Sequence, residues 1–292
     1  MLMQKVEGVL EKNGFSYCEY RGCFDIAARK RRVILIKVLN NIDSFSEEQA
    51  KNLKIISGEI STEAMVVGST TRREILQDDI IYERFDIPAM NVNTFESVVE
   101  NEIPVIYRRR GGLFVDISSD VMRRRRIRSG MSQKELAERV GVTKKSVYEH
   151  EKSRLKMSYE NALAMERVLG KGIIESAKMD VKRGGEENRP ENRFESFVYR
   201  NLKKLGFSTS IVRQSPVNII AEERKFAVMS EADEIPGRIE KNAESLRRFS
   251  EISGRPIIAI SKSEVDAEIP SVDEKSFRDM SARDIRKFAR RW

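Results

Sequence analysis

A short stretch of polar side chains in helical register gives this sequence its clearest chemical signal. Lys144, Lys145, Ser146 and Glu149 fall on one side of a predicted helix whose other side carries Val147. Ammonium, hydroxyl and carboxylate groups that project together from a helix can hydrogen-bond to base edges and phosphates. The pattern therefore predicts a helix that contacts nucleic acid.

Two helices joined by a tight turn must position these groups. Ser132 and Glu135 have the spacing of a capping box, which predicts the start of a supporting helix, and Gly141 predicts its end. Thr143 follows at once as the cap of the second helix. A supporting helix, a short turn and an exposed second helix are typical of the helix-turn-helix.

Positive charge is concentrated in the same region. Residues 121–172 contain 14 Lys or Arg and 6 Asp or Glu, a net charge of +8 that equals the net charge of the whole 292-residue chain. The remainder is therefore neutral on balance. Phosphate neutralisation needs such a confined basic module. The run from Arg123 to Arg126 alone would fit a solvated helix face, but its position before the helix pair favours a role in binding.

Residues 121–172 resemble the Cro/repressor-type (XRE) helix-turn-helix, a five-helix lambda-repressor-like domain. The resemblance implies an ion pair between Arg126 and Glu151, and contacts from Gln133 and Thr143 to phosphates. Thr143 can also act simply as a helix cap. The segment Lys152-Ser153-Arg154 replaces the Gly usual after the family's Glu.

The same resemblance implies the DNA-reading residues. Lys144, Lys145 and Glu149 occupy the positions that face base edges in the family, with Ser146 beside them. The implied partner is double-stranded DNA, bound by a homodimer. Over most of its length the chain resembles archaeal transcriptional regulators in which this module lies between α/β domains.

Two α/β segments flank the module and share an order of elements. A helix ending near residue 15, a strand around 24–38, a helix around 46–60 and a strand at 64–69 form the first segment. The second has a helix ending at 207, a strand pair around 217–230, a helix at 238–253 and a strand at 256–261. We interpret them as duplicated small α/β domains.

Each segment resembles the core of Holliday-junction resolvases and restriction endonucleases. In that family an Asp and a Glu-x-Lys motif hold Mg²⁺ on the scissile phosphate and help to activate water. Asp25 and Lys37 match in the first segment and Glu7 lies on its first helix, but Leu35 replaces the motif's Glu. Asp25 and Lys37 also fit a simple surface ion pair.

The second segment departs further from the motif. Asn218, Val228 and Ser230 are the predicted counterparts of its Asp, Glu and Lys. We therefore expect a nuclease fold used as a scaffold, with no catalytic residue, no metal and no cofactor. A divergent metal-dependent nuclease is the alternative, and a repressor whose flanking domains bind a protein partner or small effector is a third.

Between the first segment and the helical module, residues 104–107 and 113–117 predict a β-hairpin with a basic tip at Arg108, Arg109 and Arg110. It could contact the DNA backbone or simply pack. The predicted domains are 1–101 (α/β), 102–120 (hairpin connector), 121–179 (helix-turn-helix), 180–192 (polar linker) and 193–292 (second α/β).

Cys18, Cys23 and His150 are the chain's only cysteines and histidine, too few for a four-ligand zinc site. We expect both thiols to be reduced and structural. No apolar run has the length of a membrane span and no signal peptide is evident, so the expected location is the cytoplasm. The sequence identifies no effector.

Overall fold

The computed structural model describes residues 1–152, 155–179, 181, 187–223 and 226–289. The chain forms two compact units: the first contains Met1–Val67, Phe85–Ile87 and Asp180–Trp292, and the second contains Gly68–Arg84 and Pro88–Met179. Ser153 and Arg154, and most of the predicted linker's polar centre (180 and 182–186), lie outside the described residues.

Both units contain helices and strands. The helices are α1 Leu2–Lys12, α2 Glu47–Glu59, α3 Val92–Val99, α4 Ser119–Arg128, α5 Gln133–Val140, α6 Lys144–Glu151, α7 Tyr159–Leu169, α8 Arg193–Lys204, α9 Pro236–Ser253, α10 Glu274–Asp279 and α11 Ala282–Ala289. The strands are β1 Ser16–Glu19, β2 Ile26–Arg29, β3 Val33–Asn41, β4 Glu63–Thr70, β5 Ile80–Arg84, β6 Ile87–Met90, β7 Ile106–Arg109, β8 Gly112–Ile117, β9 Met157–Ser158, β10 Ile174–Glu175, β11 Ser208–Ile211, β12 Ile219–Glu223, β13 Phe226–Ala232, β14 Ile257–Ser261 and β15 Ser271–Asp273.

The N-terminal half of the first unit is a sheet with helices. Its strand order is β1-β2-β3-β4, with antiparallel pairing of β1 with β2 and of β2 with β3. Helix α2 begins at a capping box in which the Ser46 hydroxyl accepts from Gln49 N at 3.1 Å. Leu53 and Ile56 on α2 and Val66 on β4 are fully buried, so these elements share a core.

The C-terminal half has a sheet of order β11-β12-β13-β14-β15. The pairs β11–β12 and β12–β13 are antiparallel, whereas β13–β14 and β14–β15 are parallel. A core cluster that includes Val198, Ile219, Val228 and Ile260 joins α8 to this sheet. Helix α9 forms the crossover between β13 and β14, whereas residues 262–270 connect β14 to β15 without a helix.

The two halves of the first unit pack on each other through corresponding helices. Helix α9 contacts β1 and β2, and helix α2 contacts β12. The rings of Phe24 and Phe249 have centroids 5.5 Å apart. At the closest approach, Cys23 N donates to the Gln214 carbonyl at 2.6 Å, and a Cβ on Gly22 would lie 2.0 Å from that carbonyl oxygen. Only glycine fits there without displacing backbone.

The second unit combines a small sheet with the predicted helical module. Its strand order is β6-β5-β7-β8-β10, and β9 pairs with β8. The core contains Val115 of β8 together with Met122, Leu136, Val147 and Met165 of the helices. The predicted hairpin is thus part of the hydrophobic core that holds the helices.

Several details differ from the sequence prediction. The predicted strand at 24–38 is an antiparallel hairpin, β2 and β3, and the short strands β1 and β11 were not predicted. In residues 119–175, as far as they are described, four helices form rather than five. The segment before α7 instead forms β9, in which Met157 pairs with Val115 and is buried. Pairing with β8 satisfies its backbone in place of helix formation.

Candidate nucleic-acid interface

Local capping interactions fix the helix pair α5–α6. The Ser132 hydroxyl accepts from Glu135 N at 3.2 Å, and the Glu135 carboxylate accepts from Ser132 N at 2.7 Å. Gly141 ends α5 with φ +80°, a conformation that favours glycine. Thr143 then caps α6 by accepting from Ser146 N at 3.0 Å. The turn between the helices therefore has a single well-defined path.

One side of α6 is buried and the other faces solvent. Val147 is completely buried, whereas Lys144 and Lys145 are exposed and Ser146 and Glu149 are partly buried. Among the described residues, neither Lys144 nor Lys145 has an ion-pair partner. Two unpaired ammonium groups at the start of an exposed helix are suited to an acidic partner.

Tyr148 is the residue of this surface that the sequence analysis missed. Its side chain is 41% exposed, one helical turn after Lys144, and Lys152 Nζ lies 5.9 Å from the ring centroid. An exposed aromatic ring on such a helix can contact a thymine methyl group or a sugar. The signal was available in the sequence, because position 148 lies one turn from position 144 on the same face.

A charged cluster ties the end of α6 to α4 and α5. Arg126 Nε donates to Glu151 Oε1 at 2.7 Å, and a second guanidinium nitrogen of Arg126 donates to Oε2 at 3.1 Å. Gln133 Nε2 donates to Glu151 Oε2 at 2.7 Å. Burial alone would raise the pKa of Glu151, but the hydrogen bonds from Arg126 and Gln133 hold this pKa below its ordinary value.

Within this cluster Gln133 also holds Glu151, in addition to the phosphate contact predicted for it. Its amide nitrogen has two hydrogens, and the bond to Glu151 takes one of them. The other hydrogen remains for a phosphate. The same side chain can therefore hold α6 in place and contact the DNA backbone.

The run of four arginines divides into two classes. Arg125 donates to the carbonyls of Gly170 and Lys171, both at 2.7 Å, so it caps the end of α7. Arg126 belongs to the cluster with Glu151. Arg123 and Arg124 are exposed, which leaves them available to a phosphate backbone.

The β7–β8 hairpin uses most of its basic tip within the protein. Arg108 pairs with Glu74 at 3.3 Å and Arg109 pairs with Glu83 at 2.5 Å. Arg110 is exposed. Of the two interpretations, the ion pairs favour a hairpin that packs, with Arg110 as the residue left for an external contact.

A second polar network, unforeseen from the sequence, anchors the segment after α6. Lys156 Nζ donates to both oxygens of Asp116, at 2.9 and 3.0 Å, and lies 3.2 Å from the Tyr107 ring centroid. The Tyr107 hydroxyl donates to Asp116 at 2.6 Å. Hydrogen bonds from Tyr107 and Lys156 lower the pKa of Asp116, against the effect of burial. The network fixes β9 beside β8.

Protein contacts engage the residues that correspond to the family's metal-binding position in the first unit. Lys37 Nζ donates to Asp25 Oδ1 at 2.9 Å and to the Gly22 carbonyl at 2.8 Å, while Val38 N donates to Asp25 Oδ2 at 2.8 Å. The Asp25–Lys37 pair is buried, whereas the sequence interpretation placed it at the surface. The backbone at Gly22 lies against the pair and accepts a hydrogen bond from Lys37. Leu35 is fully buried.

The described residues place no metal-binding cluster around Asp25. Burial raises the pKa of Glu7, and Glu19 and Glu11 raise it further, so these acids are the electrostatic neighbours of Glu7. In the described part of the chain, no group of three His, Cys, Asp or Glu side chains is placed to hold a metal ion.

In the C-terminal half, the residues predicted to correspond to Leu35 and Lys37 were each wrong by one position. Ile26 pairs with Ile36 and Ile219 pairs with Ser230, so the residue facing Asn218 as Lys37 faces Asp25 is Glu231, not Ser230. Likewise Met229, not Val228, occupies the position of Leu35. Strand pairing, not distance along the sequence, sets this register.

Glu231 is the unusual group at this position. The Asn218 side chain donates to the Ala232 carbonyl and accepts from Ala232 N, both at 2.9 Å, and Glu231 has no ion-pair partner among the described residues. Burial raises the pKa of Glu231 to about 8, helped by Asp233 and Glu195. Glu195 itself pairs with Arg213 at 2.6 Å.

The two thiols are free and buried, with no disulfide. Burial raises the pKa of Cys18 to about 11 and that of Cys23 to about 12, so both are unreactive thiols at neutral pH. None of the helices in the described ranges is long and apolar enough to cross a membrane.

Comparisons with known proteins agree with this geometry. The profile of the PD-(D/E)XK superfamily domain matches residues 1–105, and the helix-turn-helix profile matches residues 122–175. The chain is 32% identical to an HTH-type transcriptional regulatory protein of Thermococcus gammatolerans, over 96% of this chain and 92% of that protein. Similar proteins of the same description are 30% identical in Thermococcus kodakarensis, over 97% and 92%, and 32% identical in Pyrococcus horikoshii, over 97% and 94%. No solved structure matches the chain at a significant level.

Proposed function

Because this chain belongs to the archaeal family of HTH-type transcriptional regulatory proteins and is a DNA-binding regulator, we propose that it reads its operator through helix α6. Lys144, Lys145 and Glu149 contact base edges in the major groove, with Ser146 beside them. Gln133 and Thr143 contact phosphates and set the register of the helix on the duplex.

The observation that carries this proposal is the two-sided environment of α6. Val147 and the Arg126–Glu151 pair hold its inner side, while Lys144 and Lys145 on its outer side are exposed and unpaired among the described residues. A rigid helix with free donors can discriminate base pairs, because its side chains need little reorganisation on binding. Tyr148 adds an apolar contact on the same face.

We further propose that the two α/β halves are duplicated domains with the boundaries 1–101 and 193–292, joined through residues 102–120, 121–179 and 180–192. The support is their matching element order and the reciprocal packing of α2 on β12 and of α9 on β1 and β2. Gly22 and Gln214, each seven residues after the Phe that follows the first helix of its half, meet at the centre. The halves would then pair about an internal pseudo-twofold axis.

In this proposal the endonuclease-like domain is a scaffold and not an enzyme. Hydrolysis of a phosphodiester by a bound metal needs acidic ligands that converge. Both Asp25 oxygens accept hydrogen bonds within the protein, and Leu35 and Met229 supply no oxygen ligand for Mg²⁺ or Mn²⁺. A homodimer in the cytoplasm that binds a two-fold symmetric operator completes the proposal.

The test is a selection of preferred duplexes by the purified full-length protein, followed by binding and cleavage assays on the selected site. We expect a recurrent sequence motif and no cleavage of duplex, single-stranded or four-way-junction DNA with Mg²⁺ or Mn²⁺. Failure to enrich any motif would contradict operator reading. Metal-dependent nicking that is lost in Asp25→Asn or Lys37→Met protein would instead support the nuclease alternative.

A further inference from the structure

A large cleft with polar and apolar walls lies in the first unit, above the position where a nuclease of this fold would hold its metal. It encloses about 1420 Å³ and is open to solvent. Both halves line it, with Glu19, Arg21 and Lys37 from the first half and Gln214, Asn242 and Ser245 from the second. Small-molecule sites occur at such junctions between domains.

Lys37 lies at the floor of the cleft and has one ammonium hydrogen left for a ligand. Lys37 gives two of its three ammonium hydrogens to Asp25 and the Gly22 carbonyl, and its side chain is 8% exposed. The third hydrogen has no acceptor among the described residues. Each Asp25 oxygen already accepts one hydrogen bond, from Lys37 Nζ and from Val38 N.

The rim adds charge of both signs. Glu19 and Arg21 are exposed, and neither forms an ion pair within the part of the chain that the structure describes. A carboxylate of a ligand could bind Arg21 and the spare hydrogen of Lys37, and a ligand ammonium group could bind Glu19.

The wall from the second half supplies neutral hydrogen-bonding groups. The side chains of Gln214, Asn242 and Ser245 make no hydrogen bond to any other described residue. Amides and a hydroxyl can recognise the polar side chain of a small molecule, and each is both a donor and an acceptor.

We propose that this cleft binds a small zwitterionic metabolite of the amino-acid class, with its carboxylate at Lys37 and Arg21 and its ammonium group at Glu19. A ligand held there touches both halves of the first unit. It therefore stabilises their packing. A phosphate or a nucleotide would match the cations but leave Glu19 facing an anion, which disfavours it.

The test measures ligand binding to the full-length protein without DNA, so its outcome is independent of operator reading. Melting temperature is recorded with each of the twenty standard amino acids, with inorganic phosphate and with AMP. We expect a saturable rise for one amino acid or a few related ones, because a ligand that binds only the folded state stabilises it. No rise with any amino acid, or a rise only with phosphate or AMP, would overturn the proposal.

Variants then locate the binding site. Arg21→Gln and Glu19→Gln should each weaken the apparent affinity by tenfold or more without changing the melting temperature of the free protein, because both side chains are exposed. Arg31→Gln is the matched control, since Arg31 is exposed in the turn between β2 and β3 and does not line the cleft. Equal affinity in the wild type and both cleft variants would place the ligand elsewhere and contradict the proposal.

Discussion

Replacement of Glu151 by Ala should destabilise the second unit strongly. The Glu151 side chain is 4% exposed and that of Arg126 is 11% exposed, so the pair is removed from solvent. The substitution deletes three hydrogen bonds, two from Arg126 and one from Gln133. The Arg126 guanidinium is then left buried, with the Met131 carbonyl as its remaining acceptor among the described residues.

The expected loss is about 3–5 kcal/mol in the free energy of unfolding, the range for breaking a buried ion pair from one side. Urea unfolding followed by circular dichroism measures it, and the exposed residue Glu138, which has an i,i+4 contact with Lys134 at 3.9 Å, provides the control Glu138→Ala. The control should lose no more than about 0.5 kcal/mol. An unfolding curve for Glu151→Ala that matches the control would refute the assignment of a buried structural pair.

Three further predictions concern the whole chain. DNA affinity should fall with salt with a log–log slope of about −5 or steeper if about six phosphates are contacted, as fluorescence anisotropy would show, and a slope near zero would exclude a phosphate-dominated interface. Gly22→Ala should destabilise the first unit by about 1–3 kcal/mol, because the added Cβ would lie 2.0 Å from the Gln214 carbonyl oxygen. Gly8→Ala is the control: a Cβ there has nothing within 4 Å, so this variant should stabilise α1 by about 0.5–1 kcal/mol. A melting temperature for Gly22→Ala equal to or above that of Gly8→Ala would contradict the close approach at Gly22. Because the pKa of Glu231 is raised from 4.5 to about 8, the folded state keeps a proton that the unfolded state has lost between these pH values. The free energy of unfolding should therefore fall as pH rises from 4.5 to about 8, by up to about 1.4 kcal/mol per pH unit. Glu231→Gln should flatten this pH profile, and an equally steep profile in the variant would refute the assignment to Glu231.

Short-range signals made the helical module predictable from the sequence. The capping box at Ser132 and Glu135, the cap at Thr143 and the left-handed Gly141 depend on residues within one turn of each other. The exposed side of α6 follows from the position of Val147. The sequence did not reveal that Gln133 bonds to Glu151, because that contact depends on how α5 packs against α6.

The features that could not be predicted from the sequence depend on contacts between residues far apart in the chain. Strands β1 and β11 are four residues long and too short for a clear alternation of polar and apolar residues. The sequence prediction placed the counterpart of Lys37 at Ser230, one residue before its actual position at Glu231. Hydrogen bonding between β12 and β13 sets this register, and the sequence alone does not show it. Gly22 and Gln214 are far apart in the sequence, so no local sequence pattern predicts that they lie in contact.

The most direct test of the central claim, that α6 reads the bases, compares two duplexes with one set of variants. Lys144→Ala and Lys145→Ala should each cost about 1–3 kcal/mol on the selected operator and little on random DNA, because base contacts carry specificity. Gln133→Ala should weaken both duplexes alike, and Lys241→Ala, which removes an exposed charge on α9, should change neither. Equal losses on operator and random DNA for both lysine variants would show that α6 only holds the phosphate backbone and would contradict the account.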